Sequence, residues 1–166
     1  MNSREALIDA FGRLQEEIHS VVGELSADQL SERPLGKGNS IAWLVWHLTR
    51  IQDDHVAAAA GHDQAYVDQG WSERLGLPFD PADTGYGHGD AEVAAVQVSD
   101  GALLTGYYDA VHAQTVDYLK GLSDDDLERI VDRHWDPPVT LGVRLISVIS
   151  DDLQHIGQAA YVRGLL

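Results

Sequence analysis

Apolar residues recur every three or four positions along four long stretches of this chain, and no segment shows a competing two-residue alternation. This spacing predicts four helices of about twenty residues each. N-cap residues and glycines predict their limits: about Ser3 to Gly23 or Leu25, behind Asn39 or Ser40 to near Gly61, near Ser99 to Gly121, and behind Thr140 to Arg163–Gly164. Helices with one apolar face each pack economically as a four-helix bundle, so we expect an all-α fold in a single domain, residues 1–166.

The connection between the second and third predicted helices is long. It runs from Gly61 to about Val98 and is rich in glycine, aspartate and proline. A connection of this length inside a compact domain is usually functional or mobile. Its aromatic residues Trp71, Phe79 and Tyr86 are candidates to cover a pocket at one end of the bundle. The alternative, which the sequence favours, is that they pin the segment to the outside of the helices.

A weak internal repeat divides the chain into two halves. Leu25–Leu30 follows the first helix and Leu122–Leu127 follows the third, both with the pattern Leu-Ser-x-Asp-x-Leu. Each leads through a proline-containing loop into one of the two remaining long helices. We therefore expect those two helices to face each other. The alternative is that the pattern is only a common N-cap that opens a short helix.

Two histidines interrupt the most apolar helical stretches. His47 lies among apolar residues of the second helix, and His155 lies on the apolar stripe of the fourth, with Asp151 one turn before it. A lone histidine on such a face is more often a hydrogen-bonded core residue than a ligand. Two imidazoles from adjacent helices and the i−4 carboxylate, however, make three ligands, the number that leaves a divalent ion one open position. We therefore predict a metal site at His47, Asp151 and His155, with zinc as the expected ion.

The charge balance excludes several classes of partner. The chain has 27 acidic and 11 basic residues, a formal charge of −16, so nucleic acid and anionic membranes would repel it. It has no cysteine, so any thiol chemistry needs a thiol supplied by a substrate. The sequence shows neither a signal-type start nor an apolar run of membrane length. We expect a cytoplasmic protein that acts on small molecules, and a homodimer is compatible with the sequence.

The helical motif Trp43-x-x-x-His47-Leu, followed by Asp151-x-x-x-His155-x-Gly-Gln158, resembles the metal-binding pattern of the DinB-like superfamily. That superfamily includes mycothiol-dependent maleylpyruvate isomerases and bacillithiol or mycothiol S-transferases. The resemblance extends over the whole chain in its layout of four helices and a long second connection. It implies the same three ligands. Aspartate stands at position 151, where many relatives have histidine and the isomerases have glutamate.

Two tracts, Gln52–His55 and Trp71–Tyr86, are most similar to the actinobacterial mycothiol S-transferases. The resemblance implies that a divalent ion holds a thiol such as mycothiol as its thiolate, which then attacks a small electrophile. Two neutral imidazoles and one carboxylate leave a divalent site with a net charge of about +1, which favours an incoming anion.

Further candidate residues follow from the same resemblance. Asp54, on the His47 face, is a candidate to orient a ligand imidazole, with a solvated surface charge as the alternative. Arg144 and Arg163 are candidates to hold carboxylate or sugar groups of the thiol, with surface positions as the alternative. His55 points about 80° away from the ligand face and is a pocket candidate. The full set of expected cofactor contacts is Arg144, Arg163, His55, Trp71 and Tyr86.

Other functions remain open on the same scaffold. One is a thiol-dependent isomerase, and another is a hydrolase in which metal-bound water is the nucleophile. A third is a non-enzymatic stress protein whose metal only stabilises the bundle. A requirement for added thiol distinguishes among the enzymes.

Overall fold

The computed structural model describes residues 1–166, and the chain is mostly helical. In chain order the helices are α1 (Ser3–Val22), α2 (Ala27–Ser31), α3 (Ile41–Ala60), α4 (Ala65–Asp68), α5 (Trp71–Leu75), α6 (Asp90–Ala95), α7 (Gly101–Lys120) and α8 (Leu141–Arg163), with 3-10 turns at Pro34–Gly36 and Asp125–Glu128. The long helices α1, α3, α7 and α8 form the bundle, which confirms the all-α prediction. None of the helices is both long and apolar enough to cross a membrane.

A small antiparallel sheet precedes α8 and was not predicted. Its strands are β1 (Ile130–Asp132) and β2 (Val139–Thr140), and their register shifts by one residue along the pair. Two strands this short offer no alternation of polar and apolar residues for a sequence pattern to reveal. The sheet lies beside the beginning of α8 and therefore helps to position the side chains of its first turns.

The ends of the long helices follow local capping chemistry. α3 begins behind Ser40, whose hydroxyl accepts a hydrogen bond from a first-turn N–H, and ends at Gly61 in the left-handed region. α8 begins behind Thr140, which caps it in the same way. These limits agree with the prediction. The caps of α1 and α7 are Asn2 and Asp100, each one residue away from the predicted serine.

Helix α3 is the centre of the core. Every side chain from Ile41 to Arg50 is buried, because α3 is packed against α8 and α7 and covered by the connection that follows it. Its most extensive packing partner is α8, which confirms that the second helices of the two halves face each other. α1 packs on the other sides of α7 and α8. His47 on α3 and His155 on α8 are thereby brought to one interface.

The connection from residue 61 to residue 98 lies on the outside of the bundle and contains α4, α5 and α6. Trp71 packs against Tyr107 of α7, and Phe79 packs against Trp46 of α3. Tyr86 projects outward, with 89% of its surface exposed. The alternative favoured by the sequence therefore holds for Trp71 and Phe79, which pin the segment to the helices.

Candidate metal centre

His47, Asp151 and His155 lie together at the interface of α3 and α8. One ligand atom from each lies within 4.8 Å of the other two. The two imidazole rings meet edge to face with centroids 4.8 Å apart, and Asp151 Oδ1 lies 3.6 Å from His155 Nε2. The i, i+4 spacing on α8 presents both of its side chains to the same point. The three residues predicted from the sequence therefore form one cluster.

The orientation of His47 is set by the backbone of the long connection. Its Nδ1 lies 2.6 Å from the carbonyl oxygen of Thr84. A carbonyl oxygen can only accept a hydrogen bond, so Nδ1 carries the proton and the lone pair of Nε2 is free for a ligand role. Burial lowers the pKa of His47, and the nearby His155 lowers it further, although the bond to Thr84 opposes the shift. The ring is thus held neutral, as metal binding requires.

Asp54, the candidate to orient a ligand imidazole, makes its contacts with Gln64 and His55 and not with His47. Its Oδ1 accepts a hydrogen bond from Gln64 Nε2 at 2.8 Å, and its Oδ2 lies 3.6 Å from His55 Nδ1. Asp54 lies two turns beyond His47 on α3. The group that orients the His47 ring is the backbone carbonyl of Thr84. Sequence patterns carry no information on such a contact, because every residue has a carbonyl group.

Gly85 allows the connection to come this close. Its φ is +85°, a conformation that side chains disfavour, and a Cβ there would lie 2.9 Å from both His47 Nδ1 and Trp46 Cζ3. Any other residue at this position would push Thr84 away from His47. The glycine-rich run from Gly85 to Gly89 was visible in the sequence, but its contact with His47 was not.

A second histidine of the connection, His88, supports the same wall of the site. Trp43 stacks on the His47 ring with centroids 4.7 Å apart and donates its indole N–H to His88 Nδ1 at 3.1 Å. His88 Nε2 therefore carries the proton and donates to Asp83 Oδ2 at 3.0 Å. The chain Trp43–His88–Asp83 holds the aromatic face against which His47 rests. Sequence reasoning missed His88.

The three residues fit a divalent ion. Buried Asp151 Oδ2 and His155 Nδ1 have no hydrogen-bond partner in the protein, which is uncommon for buried polar atoms. Two imidazoles and a carboxylate are a donor set that zinc and other late first-row divalent ions accept. Ligand atoms on one tetrahedral ion lie about 3.4 Å apart. Side-chain rotations that move the ligand atoms by about 1 Å would therefore bring them to this spacing.

Asp152, the neighbour of Asp151, is the unexpected feature of α8. It is fully buried and neither carboxylate oxygen has a hydrogen-bond partner, whereas Asp151 is partly exposed beside the histidines. Burial raises the pKa of Asp152 well above its usual value, and the charge of Asp151 adds to the shift. The apolar stripe predicted for α8 thus also contains a carboxyl group, which is not among the three clustered ligands.

We expect Asp152→Asn to stabilise the protein, by at least about 1 kcal/mol near neutral pH, because the wild type must protonate this carboxylate in order to bury it, whereas an amide is always neutral. The raised pKa means that the folded wild type binds more protons than the unfolded chain, so its stability falls as pH rises above the unfolded value of about 3.9. The advantage of the variant should therefore grow from about pH 5.5 to about pH 8. Urea unfolding at both pH values measures it. Asp124→Asn, at an exposed position, is the control, and an advantage independent of pH would contradict the argument.

Two of the five expected cofactor contacts lie in one pocket, which is lined by α3, β1 and α8. Arg144 Nη2 donates to Asp132 Oδ2 at 2.8 Å, and its Nη1 lies against the ring of His55. The side chains of His55, Arg144 and Asp132 are partly exposed. His55 and Arg144 thus line one pocket, which contains none of the three metal ligands.

The other three expected contacts are placed elsewhere. Arg163 donates to the carbonyl oxygens of Val21 and Gly23 at 2.6 and 2.7 Å, and so anchors the end of α1. Trp71 packs against α7, which carries none of the three ligands, and Tyr86 projects outward. These three residues do not line the pocket of His55 and Arg144, and their role as cofactor contacts stays a prediction. A long cationic side chain that anchors a helix end has the same sequence signature as one that binds a cofactor.

The fold and the site together define a four-helix-bundle protein with a candidate metal centre between α3 and α8. A family model of the DinB superfamily matches residues 10–159, and the chain belongs to this superfamily. It is similar to a solved structure described as the conserved protein of locus from Enterococcus faecalis, with 31% sequence identity and a TM-score of 0.89. That match covers 98% of this chain and 96% of the other. No curated protein matches the sequence.

Proposed function

We propose that this protein is a metal-dependent thiol S-transferase, which conjugates a low-molecular-weight thiol such as mycothiol to small electrophiles in the cytoplasm. The observation that carries the proposal is the cluster of His47, Asp151 and His155, which offers three ligands to a divalent ion, with zinc the proposed one. Membership of the DinB superfamily, whose members often bind metal, supports it. The absence of cysteine supports a thiol supplied as co-substrate.

A divalent ion bound here would supply an open coordination position and a charge that lowers the pKa of an incoming thiol. The protein's own groups prepare that position. Thr84 fixes the His47 ring with Nε2 free, and Asp151 contributes one negative charge, so that a divalent site retains about one positive charge for an anionic sulfur. Trp43 covers one side of His47 and excludes water from it.

The transfer itself is a nucleophilic substitution or addition. The thiol proton leaves to solvent and a sulfur–carbon bond forms to the electrophile. In a substitution the leaving group departs with its bonding electrons. In an addition the neighbouring carbon takes a proton. The chain's contribution is to hold both reactants beside the three ligand residues. Their reaction then becomes effectively unimolecular.

The test is the rate of S-conjugate formation from mycothiol and an aryl halide, with metal-loaded and with chelated protein. We expect the metal-loaded protein to accelerate conjugation and the chelated protein to give the background rate, because a free thiol is largely protonated near neutral pH. Glutathione should be a poor substitute, since the rest of the thiol must fit the site.

Other outcomes contradict the proposal in specific ways. Equal rates with loaded and chelated protein would exclude a role for the ion in transfer. Metal-dependent turnover without any thiol would indicate a hydrolase, and thiol-dependent rearrangement without a conjugate would indicate an isomerase. Stoichiometric metal without any turnover would indicate a metal-binding protein that is not an enzyme.

A further inference from the structure

A polar pocket lies on the same two helices as the metal ligands, α3 and α8. It has a volume of about 580 Å³ and is lined by α3, by β1 with the turn that follows it, and by α8. Arg144 precedes Asp151 by seven residues on α8, and His55 follows His47 by eight on α3. Seven residues are about two turns and about 10.5 Å of helix, so the pocket lies about that far along the two helices from the ligands.

Arg144 is held in this pocket with part of its hydrogen-bonding capacity unused. Its Nη2 donates to Asp132 at 2.8 Å, whereas its Nη1 is 3.3 and 3.4 Å from the two ring nitrogens of His55. An atom almost equally far from both nitrogens cannot lie in the ring plane without clashing with Cε1, so Nη1 lies over the ring face. These contacts fix the guanidinium in place, while its Nε donates to no other group of the protein.

The pocket is locally cationic in a strongly acidic chain. It is lined by Arg133 and Arg144, and the only carboxylate in its lining is Asp132. Arg133 forms no ion pair, and Arg144 has 19% of its side chain exposed to the pocket's solvent. Burial lowers the pKa of His55, and the charge of Arg144 lowers it further, whereas the charges of Asp54, Asp151 and Asp132 oppose the shift. With a formal charge of −16 over the whole chain, an anion has few other places to bind.

We propose that this pocket binds a carboxylate group of a co-substrate whose other end reaches the metal ligands, with Arg144 as the main contact. Guanidinium groups bind carboxylates through paired N–H donors, and the contact with His55 pre-orients those donors. The reaction assigned to the co-substrate rests on the proposed function, but the binding of the carboxylate does not. The carboxylate belongs to the electrophile, or to the thiol where that thiol carries one, and lies about 10 Å from the reacting atoms.

The binding test uses hexanoate, with hexanol as the neutral control, and follows the Cε1–H signal of His55 by NMR with metal-loaded and with chelated protein. We expect hexanoate to shift this signal in both forms and hexanol to leave it unchanged. Arg144→Gln should weaken hexanoate binding by at least about tenfold. Arg13→Gln, an arginine on the exposed face of α1, is the matched control and should not change it.

Asp132→Asn separates a binding role from a structural one. It removes the carboxylate that now occupies Arg144, so it should tighten hexanoate binding, whereas loss of a merely structural ion pair would not. Hexanoate binding that disappears on chelation and survives Arg144→Gln would place the carboxylate on the metal ligands and overturn the proposal. Circular dichroism and metal content show whether each variant is folded.

The source of the carboxylate follows from steady-state kinetics with Arg144→Gln. A raised KM for a carboxylated electrophile, but not for its neutral ester, assigns the carboxylate to the electrophile. A raised KM for the thiol alone assigns it to the thiol. Unchanged KM values for both would overturn the role in co-substrate binding. Hexanoate binding without any transferase activity would refute the proposed function and leave the carboxylate pocket intact.

Discussion

Replacing either His47 or His155 by alanine should abolish stoichiometric binding of a divalent ion. The wild type offers three ligand atoms within 4.8 Å of one another, and each variant keeps only two, which is below the three that protein zinc sites require. We expect about one ion per chain in the wild type and close to none in either variant. The measurement is elemental analysis of protein loaded with zinc and then desalted.

Three control variants locate the site on α8 and exclude a general effect of histidine loss. Asp151→His keeps a ligand at the same place and should retain or tighten metal binding. Asp152→Asn should leave metal content unchanged, because Asp152 is not among the clustered ligands. His112→Ala removes a half-buried histidine of α7 that is not among the clustered ligands, and should also leave metal content unchanged. Unchanged metal content in both His47→Ala and His155→Ala would refute the assigned centre. Loss of metal only in Asp152→Asn would refute it as well.

The long helices and the three clustered residues could be predicted because they depend on periodicity. A spacing of four residues places Asp151 and His155 on one side of a helix whatever surrounds it. The repeat within the chain indicated which two helices meet, and the structure confirms that α3 and α8 do. The phase on α8 was also right, since Asp151 rather than Asp152 joins the histidines.

The contacts that complete the site could not be predicted, because they come from backbone atoms and long side chains. Thr84 contributes a carbonyl oxygen, and Gly85 leaves room for it because glycine has no Cβ. Neither contact can be predicted from the residue pattern around His47. Arg163, a predicted cofactor contact, anchors the end of α1 through two backbone carbonyl groups that the sequence pattern does not indicate. Arg50 was not singled out at all, yet its side chain is fully buried in the core.

Arg50 connects α3 to the long connection that orients His47. Its guanidinium donates to the carbonyl oxygens of Pro81 and Asp83, both at 3.1 Å, and to Gln64 Oε1 at 2.8 Å. It also lies 3.6 Å from Asp53 Oδ2 and over the ring of Tyr66. The bonded carbonyls lie just before Thr84, so Arg50 is a positioning residue for His47 although it does not touch the site.

Asp53 completes this buried network from the same helix. Its carboxylate accepts hydrogen bonds from the N–H groups of Ala65 and Tyr66 and from the hydroxyl of Tyr107. Burial raises the pKa of Asp53, while these bonds and the charge of Arg50 oppose the shift. Removing Arg50 would leave this carboxylate buried without its cationic neighbour.

Arg50→Met should therefore produce the largest loss of stability of any single change considered. Methionine keeps the length of the side chain but leaves several acceptors and one buried carboxylate uncompensated, at a cost of about 3–5 kcal/mol. Because the segment before Thr84 loses its anchor, zinc affinity should also fall, by about tenfold or more. Urea unfolding of the metal-free protein and competition with a zinc chelator measure the two effects separately.

Arg74→Met is the matched control on the same connection. Arg74 lies over the exposed side of the Trp71 ring, 4.6 Å from its centroid, so its loss should cost no more than about 1 kcal/mol and leave zinc affinity unchanged. If Arg50→Met unfolded the protein outright, Arg50→Lys, which keeps the charge but loses the planar fork, should show both effects at smaller size. A loss of stability with zinc affinity fully retained would show that His47 is oriented without the connection, and would refute the positioning role of Arg50.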